Sequence, residues 1–168
     1  LEDEGNESEC INTLLTRSID GIILVPCGER PESLEKIDEQ TPIVLIDRYF
    51  EDTSLSYICT DNYRGALDGV KLLIENGHKE ILCIRGVPHS MPSKERVKGY
   101  IDALRESGFD TRSRITGNDY SITNGYLETK LAIGSPARPT AIFALSNTIM
   151  LGAIRAIGES SLRIPDDV

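Results

Sequence analysis

Aromatic side chains and long apolar runs are both scarce in this sequence. Its 168 residues include no Trp, three Phe and six Tyr. No stretch reaches the roughly 18 apolar residues that a membrane-spanning helix needs, so we expect no membrane partner. A hydrophobic content of 39% and a charged content of 27% are typical of a soluble globular protein. The length suffices for one ordinary domain or for two small lobes.

Positive charge is also in short supply. The chain has 18 Lys and Arg against 27 Asp and Glu, which gives a net charge of −9 and a pI near 4.7. A surface that holds nucleic-acid phosphates needs clustered Lys and Arg. Here Arg105 and 112–114 are interspersed with Asp102, Glu106 and Asp110. This composition argues against nucleic-acid binding by this segment alone.

Metal-ligand spacing is missing as well. The four cysteines form no Cys-x-x-Cys pair, and His78 and His89 are the two histidines. A zinc site needs several Cys or His at close spacing, so we expect no metal and no cofactor. Three cysteines lie in or beside apolar runs, which predicts buried, reduced thiols suited to a reducing cytosol. They are Cys27, Cys59 and Cys83.

Motifs of catalysis are absent too. The sequence has no G-x-S-x-G elbow, no Walker P-loop and no G-x-G-x-x-G after a strand. His78 lies in NGHKEI, where we expect a helix-end or packing role, and His89 lies in a strand-end loop. The chain therefore favours binding over catalysis, and we expect no enzyme.

What the sequence does contain is an alternation of short apolar runs with amphipathic stretches. The runs cover residues 22–25, 43–46, 57–59, 81–84 and 141–145. Their continuous Ile, Val and Leu predict strands buried on both faces of a parallel sheet. Helical patterns cover residues 8–17, 63–76 and 95–107, and another begins at Pro31. Two more are expected nearer the C-terminus: one is capped by Thr123 and ends near Gly134, and the other is capped by Asn147.

The predicted order is α-β-α-β-β-α-β-α-(β)-α-β-α, which indicates an α/β fold with a mainly parallel sheet. Residues 43–61 break the alternation, because two strand-like runs follow each other there without a helix. A crossover between two lobes would explain this break.

In such folds ligands bind outside the carboxyl ends of strands, near helix N-termini. Polar side chains at these places, without a nucleophile, suit a polyhydroxylated ligand or a polar heterocycle. The candidate places are 26–30, 47–49, 61–62, 86–96, 146–147 and 117–124.

Several stretches together resemble a known family. The largest is DNYRGALDGVKLLIENGHKEILCIRG at 61–86, and the others are DGIILVP at 20–26, PIVLIDR at 42–48, RVKGYIDALRESGF at 96–109 and the segment 139–168. They resemble the effector-binding core of LacI/GalR (lactose-repressor) family transcription regulators, in the family's order. The resemblance implies a periplasmic-binding-protein-like type I fold with two Rossmann-like lobes, in which parallel sheets are flanked by helices. Residues 1–60 would form part of the N-terminal lobe and 61–168 most of the C-terminal lobe.

The resemblance also implies a function. A small-molecule effector, usually a sugar or sugar derivative but also a purine in some members, would bind in the cleft between the lobes. Its binding would alter operator affinity through a helix-turn-helix domain absent from this chain, in a cytoplasmic homodimer. The main alternative is a periplasmic solute-binding protein of a transport system, which shares the fold; a sugar-metabolising α/β enzyme is a further one. The GHKEI turn and the R-x-x-G-Y segment favour the regulator.

Both ends of the sequence are unusual for this family. The chain starts at Leu1 without an initiator Met and stops on IPDDV. We therefore expect a fold that is incomplete at both ends, and poor autonomous folding of residues 1–168.

The site residues follow from the same resemblance. Arg96 opens the R-x-x-G-[FY] segment and is the first candidate for an effector contact, with an ion pair to Glu95 or Asp102 as the alternative. Asp61 matches the family's D-N pair, with helix capping as the alternative. Of the two Asx residues we expect Asp61 to face the ligand, in a segment that also forms part of the hinge, while its neighbour Asn62 caps the helix.

The remaining candidates are expected to complete the contacts. Arg48 matches a cleft position, Tyr120 falls where a ring flanks the effector, and Ser90 lies in the loop after IRG. Ser146 and Asn147 match a position where many members have Asn-Asp, so a carboxylate is replaced there by neutral groups.

Overall fold

The computed structural model describes residues 4–27, 32–109 and 114–168. Within these ranges six helices alternate with six strands in the predicted order, including the step from one strand directly to the next. The elements are α1 Glu4–Leu15, β1 Ile22–Leu24, α2 Glu32–Asp38, β2 Ile43–Ile46, β3 Ser56–Ile58, α3 Asn62–Glu75, β4 Ile81–Ile84, α4 Met91–Glu106, β5 Arg114–Thr116, α5 Ile122–Ile133, β6 Ala141–Ala144 and α6 Asn147–Gly158. The predicted helix start at Pro31 lies outside the described residues, as do 28–30 of the first candidate place.

The chain divides into two compact units, Leu1–Thr60 and Asp61–Val168. The division falls directly before α3, in the region where two strands follow each other. The assignment of these units to N-terminal and C-terminal lobes stays a prediction.

The first unit contains a parallel sheet of order β1-β2-β3. Ile22, Ile43 and Leu45 point to one face, where Ile11 of α1 and Leu34 of α2 complete the core. The register places another apolar row on the opposite face, with Ile23 75% exposed and Ile58 70% exposed. The prediction of burial on both faces is therefore wrong for this sheet, because α1 and α2 pack on the same side.

The second unit contains a parallel sheet of order β5-β4-β6. All four residues of the central strand β4 are buried, so the prediction holds for this strand. Ile81 and Cys83 pack with α3 and α4, while Leu82 and Ile84 pack with Ile149 of α6. Alternate side chains of one strand thus serve two cores.

Burial differs among the thiols that we expected to be buried. Cys83 is buried, and the loss of solvation raises the pKa of its thiol to about 12. Cys27 and Cys59 are half-buried, because each lies just past the end of an edge strand in the first unit, and Cys10 is exposed. The prediction of a buried thiol is confirmed for Cys83 and is wrong for Cys27 and Cys59.

Glycines allow two helix pairs of the second unit to approach closely. A Cβ on Gly99 of α4 would lie 2.5 Å from the carbonyl oxygen of Tyr63 in α3. A Cβ on Gly125 of α5 would collide with the carbonyl group of Ile149 in α6, and one on Gly152 with the carbonyl oxygen of Ile122. All three contacts are between one backbone and another, which only residues without a side chain permit.

The starts of three helices differ from the predicted ones. Ser121 caps α5 by accepting a hydrogen bond from the Asn124 N–H at 2.9 Å, so the prediction of Thr123 as cap is wrong. Ser146 caps α6, so Asn147 is the first helical residue and not the cap. Helix α4 begins at Met91, four residues before the predicted start, with a proline in its first turn. In each case the residue before the helix has extended backbone, as a cap position requires.

None of the helices in residues 4–27, 32–109 and 114–168 combines the length and apolar character that crossing a membrane requires.

Candidate functional site

The candidate site lies at the carboxyl edge of the second sheet. Three neighbouring parallel strands end at Ile84, Thr116 and Ala144, so the segments that follow them leave from the same edge. Such an edge is where α/β folds bind ligands. The segments that leave it are 85–90, 117–121 and 145–147.

Arg96 connects three elements at this edge. It extends from α4, and its Nε donates a hydrogen bond to the Asn62 Oδ1 at 2.9 Å. Its Nη1 donates to the carbonyl oxygen of Leu145, the residue before Ser146. The guanidinium thus spans the start of α3 and the end of β6.

The predicted alternative for Arg96 was an ion pair with Glu95 or Asp102. Asp102 instead pairs with Arg105 at 2.6 Å and accepts a hydrogen bond from the Tyr63 hydroxyl. The structure therefore contradicts the Asp102 alternative. Arg105 lies three residues beyond Asp102 in α4, so it reaches that carboxylate within one helical turn.

The two Asx residues at the start of α3 have separate roles. The Asp61 carboxylate caps the helix by accepting a hydrogen bond from the Arg64 N–H at 2.8 Å, and the residue is exposed. Asn62 is only 4% exposed, and its amide oxygen accepts from Arg96. The prediction that Asn62 caps the helix is wrong, because the Asx at the cap position reaches the N–H three residues on. The effector contact of Asp61 stays a prediction.

Tyr120 and Ser90 form a second pair at this edge. Their hydroxyl oxygens lie 2.8 Å apart, and Ser90 Oγ also donates to the Val87 carbonyl oxygen at 3.0 Å. Because Ser90 has one hydroxyl hydrogen, Tyr120 is the donor between the two. The Tyr120 ring lies so close to Gly86 that a Cβ at Gly86 would collide with it.

Tyr120 is also connected to the start of α6. Its carbonyl oxygen accepts a hydrogen bond from the Thr148 hydroxyl, and Thr148 Oγ1 lies 2.9 Å from Ser146 Oγ. Asn147 is exposed beside them. The structure therefore brings together Ser90, Tyr120 and Ser146 and places Arg96 against the residue before Ser146.

Arg48 belongs to the first unit. It follows Asp47, whose φ is +67°, and its N–H donates to the Ile46 carbonyl oxygen at 2.7 Å. The left-handed backbone at Asp47 turns the chain sharply after β2. The predicted effector contact of Arg48 stays a prediction.

Sequence reasoning included Asn62, Gly86 and Asn124 in its candidate places but gave none of them a role in the site, and it missed Thr148 altogether. Asn124 is buried, and its Nδ2 donates to the carbonyl oxygens of Arg85 at 3.1 Å and Asp119 at 2.6 Å. It thereby joins two of the segments that leave the sheet edge. A glycine two residues after a buried strand was a readable signal for Gly86, whereas no local pattern indicates the contacts of the other three.

The chemistry available at this edge is hydrogen bonding and the charges of two guanidinium groups, those of Arg96 and of Arg85, whose Nε donates to the Gly117 carbonyl oxygen at 3.1 Å. Hydroxyls, amides and backbone carbonyls surround Arg96 and Tyr120, and such groups recognise hydroxyl and carbonyl oxygens of a small molecule. Across the described ranges, no three His, Cys, Asp or Glu side chains cluster as ligands for a metal ion.

Comparison with known proteins identifies the family. The family model described as "Periplasmic binding proteins and sugar binding domain of LacI family" matches residues 1–168. The chain belongs to this family. It is 32% identical over 167 residues to the HTH-type transcriptional repressor CytR of Escherichia coli strain K12, covering 96% of this chain and 48% of that protein. It is 34% identical over 161 residues to the repressor PurR of Actinobacillus pleuropneumoniae serotype 3, covering 94% of this chain and 48% of that one.

A solved structure supports the same assignment. The crystal structure of a sugar-binding transcriptional regulator of the LacI family from Escherichia coli, complexed with phosphate, has a TM-score of 0.84 and 25% identity. The match covers 98% of this chain and 60% of that one. The resemblance to LacI/GalR effector-binding cores and the periplasmic-binding-protein-like α/β fold are thereby confirmed. The chain spans about half the length of these two curated relatives, and both of them are named as transcriptional repressors.

Proposed function

We propose that this chain is the effector-sensing part of a bacterial, DNA-binding transcriptional regulator. The observation that carries the proposal is Arg96, held at the carboxyl edge of the second sheet between Asn62 and Leu145. A small molecule would bind beside this guanidinium and the hydroxyls of Tyr120, Ser90 and Ser146. Operator DNA would be bound by a domain outside this chain, since the net charge of −9 disfavours phosphate binding here.

The proposed effector is a sugar or sugar derivative. An Arg and several hydroxyls can donate to and accept from the many oxygens of such a molecule. A purine is the second candidate, because the half-buried ring of Tyr120 could stack on a planar base. Arg48, Asp61 and Asn147 complete the proposed effector contacts.

The proposed mechanism is a shift between conformations without covalent chemistry. An effector changes the equilibrium only if it binds one conformation more tightly than the other. Its effect on operator affinity is then matched by an equal effect of operator on effector affinity. We propose that the protein acts in the cytoplasm, where operator DNA is found, and that it is not an enzyme.

A ligand screen of the complete protein tests this proposal. We expect one chemical class among neutral pentoses and hexoses, their phosphates, hypoxanthine and guanine to raise the melting temperature. The effect should grow with concentration, reaching about 2.7 kcal/mol of added stability at a hundred times Kd, because the ligand binds only the folded state.

The same compound should change retention of genomic DNA fragments by the complete protein and should be recovered unchanged. Stabilisation without any DNA retention would favour a solute-binding protein, and conversion of the compound would favour an enzyme. A complete protein that no compound stabilises would contradict the proposal.

We further propose that the regulator is a homodimer whose interface includes α5 and α6. These two packed helices carry exposed large apolar side chains, and such exposure in a monomer marks interaction surfaces. They are Ile122, Leu127, Leu131, Met150, Leu151 and Ile154.

A charge on this surface is expected to weaken the dimer. Leu131 is 73% exposed, so Leu131→Glu should leave the fold intact while burying a carboxylate at the interface. Light scattering of the complete protein should show the mass falling towards half at micromolar concentration. Leu72→Glu is the matched control, since Leu72 is 59% exposed on α3 of the same unit. An unchanged mass for Leu131→Glu would argue against this interface.

A further inference from the structure

We propose that Asn62 is a positioning residue for Arg96, which sets the plane of the guanidinium for the effector. This inference rests on the proposed function and deepens it, since it assigns a role to a residue outside the predicted site. Asn62 itself need not touch the effector. Its role is to hold the group that does.

Asn62 is well suited to such a role because it is both buried and polar. At 4% exposure its amide has lost nearly all contact with water, and a buried amide needs hydrogen-bond partners. The bond that the structure gives its side-chain oxygen comes from Arg96 Nε, at 2.9 Å. Helix capping does not explain the residue, because Asp61 performs that function.

The two bonds of Arg96 fix its orientation. A guanidinium is planar and carries five N–H donors in a rigid arrangement. One is directed to Asn62 Oδ1 and one to the Leu145 carbonyl oxygen, on two different elements. Because these two hydrogen bonds lie in the guanidinium plane, they fix its orientation. The directions of the remaining N–H groups are then fixed as well. An effector that meets an ordered Arg does not have to order the side chain as it binds.

Both acceptors are electrically neutral, which preserves the charge of the guanidinium. A carboxylate at the position of Asn62 would orient Arg96 equally well but would compensate its charge. An amide therefore keeps Arg96 available to a hydroxyl, carbonyl or phosphate oxygen of a ligand. This is a physical reason for Asn rather than Asp at a position where both could accept the bond.

The packing of α4 on α3 makes the bond possible. Gly99 lies in α4 one turn beyond Arg96, and a Cβ there would lie 2.5 Å from the Tyr63 carbonyl oxygen and 2.9 Å from the Ala66 Cβ. The helices are thus closer at this end than any side chain at Gly99 would allow. Asn62, at the adjoining start of α3, is held within reach of Arg96.

The test compares effector affinity with stability in the complete protein. The probes are ribose, fructose 1-phosphate and hypoxanthine, and calorimetry uses each one that stabilises the wild type. We expect Asn62→Ala to weaken probe binding about tenfold, as losing one bond in a charged network does. Operator binding without probe should stay unchanged. Asn76→Ala is the matched control, because this exposed Asn lies at the other end of α3 and should bind the probe normally.

A double-mutant cycle separates positioning from a merely structural role. With Arg96→Ala already present, Asn62→Ala should change probe affinity by less than about twofold, since there is no guanidinium left to orient. Asn62→Asp keeps the acceptor oxygen and should bind a neutral probe within about threefold of wild type. Asn62→Thr should also weaken probe binding about tenfold, and it replaces Asn62→Ala if the alanine variant does not fold.

Wild-type probe affinity in Asn62→Ala, with the wild type itself responsive, would overturn this inference alone. So would an equal loss in the presence and absence of Arg96. A wild-type protein that binds none of the three probes and no other compound of the screen would overturn the proposed function together with it.

Discussion

Arg96→Ala is expected to abolish the effector response of the complete protein while leaving operator binding intact. Hydrogen bonds to a charged group contribute about 1.5–3 kcal/mol each, so effector affinity should fall roughly 10- to 100-fold. The variant also leaves the buried Asn62 oxygen without its donor, which should lower stability by about 1–3 kcal/mol. Calorimetry with the stabilising compound measures the effector affinity. Operator-binding titrations with and without that compound measure the effector response.

Arg105→Ala provides the matched control. Arg105 lies on the same helix, but its guanidinium is exposed and pairs with Asp102 by an ion pair of the kind that contributes little. We expect wild-type effector affinity and a stability change below about 0.5 kcal/mol. Retention of full effector affinity by Arg96→Ala would remove Arg96 from the site.

Gly125→Ala is expected to have the largest effect on stability. The new methyl group would collide with the Ile149 carbonyl group, which belongs to the backbone of α6. Forcing the helices apart costs about 3 kcal/mol or more, and the better helix propensity of Ala returns about 1 kcal/mol. The net loss of about 2–3 kcal/mol should lower the melting temperature of the complete protein by roughly 5–10 °C.

Gly65→Ala separates the collision from the change of residue type. Gly65 lies inside α3, and no atom lies within 4 Å of the position its Cβ would take. We therefore expect the same substitution there to stabilise the protein by about 1 kcal/mol through helix propensity. Equal melting temperatures for the two variants would show that α5 and α6 do not pack this closely.

The order of elements was predictable because most elements have a recognisable local sequence pattern. Short Ile, Val and Leu runs and amphipathic stretches indicated eleven of the twelve elements, and β5 was expected only from the alternation of the order. Glycines and prolines marked many of the ends. The helix starts were less predictable, since Ser121, Thr123, Ser146 and Asn147 are all acceptable caps by residue type. Which one caps a helix depends on backbone conformation, which neighbouring residues do not specify.

The exposed face of the first sheet was not predictable for a different reason. Continuous apolar runs are typical of strands covered on both sides, and β1 and β2 have such runs. Whether a helix lies on each side is decided by chain path, and α1 and α2 both pack on the side of Leu45. The residue pattern of a strand shows that both of its faces are apolar, but it does not show whether another element covers each face.

The site was partly predictable from family motifs. Arg96, Ser90, Tyr120 and Ser146 come together at one sheet edge, as their positions after strands suggested. Asn62 was not foreseen as a partner of Arg96, because it lies 34 residues away in sequence, whereas Glu95 and Asp102, the partners named in the alternative, lie nearby. Such a long-range hydrogen bond depends on how closely α3 and α4 pack, and the absence of a side chain at Gly99 permits that close packing.

The backbone contacts of Gly125 and Gly152 have a consequence for genetic suppression. When a larger side chain clashes with another side chain, trimming the second residue restores the fit. Here the opposing atoms are main-chain atoms of Ile149, Ile122 and Tyr126, which every amino acid shares. No substitution at those positions can remove them, so revertants of a Gly125 or Gly152 variant should be true reversions to glycine rather than second-site changes in the facing helix.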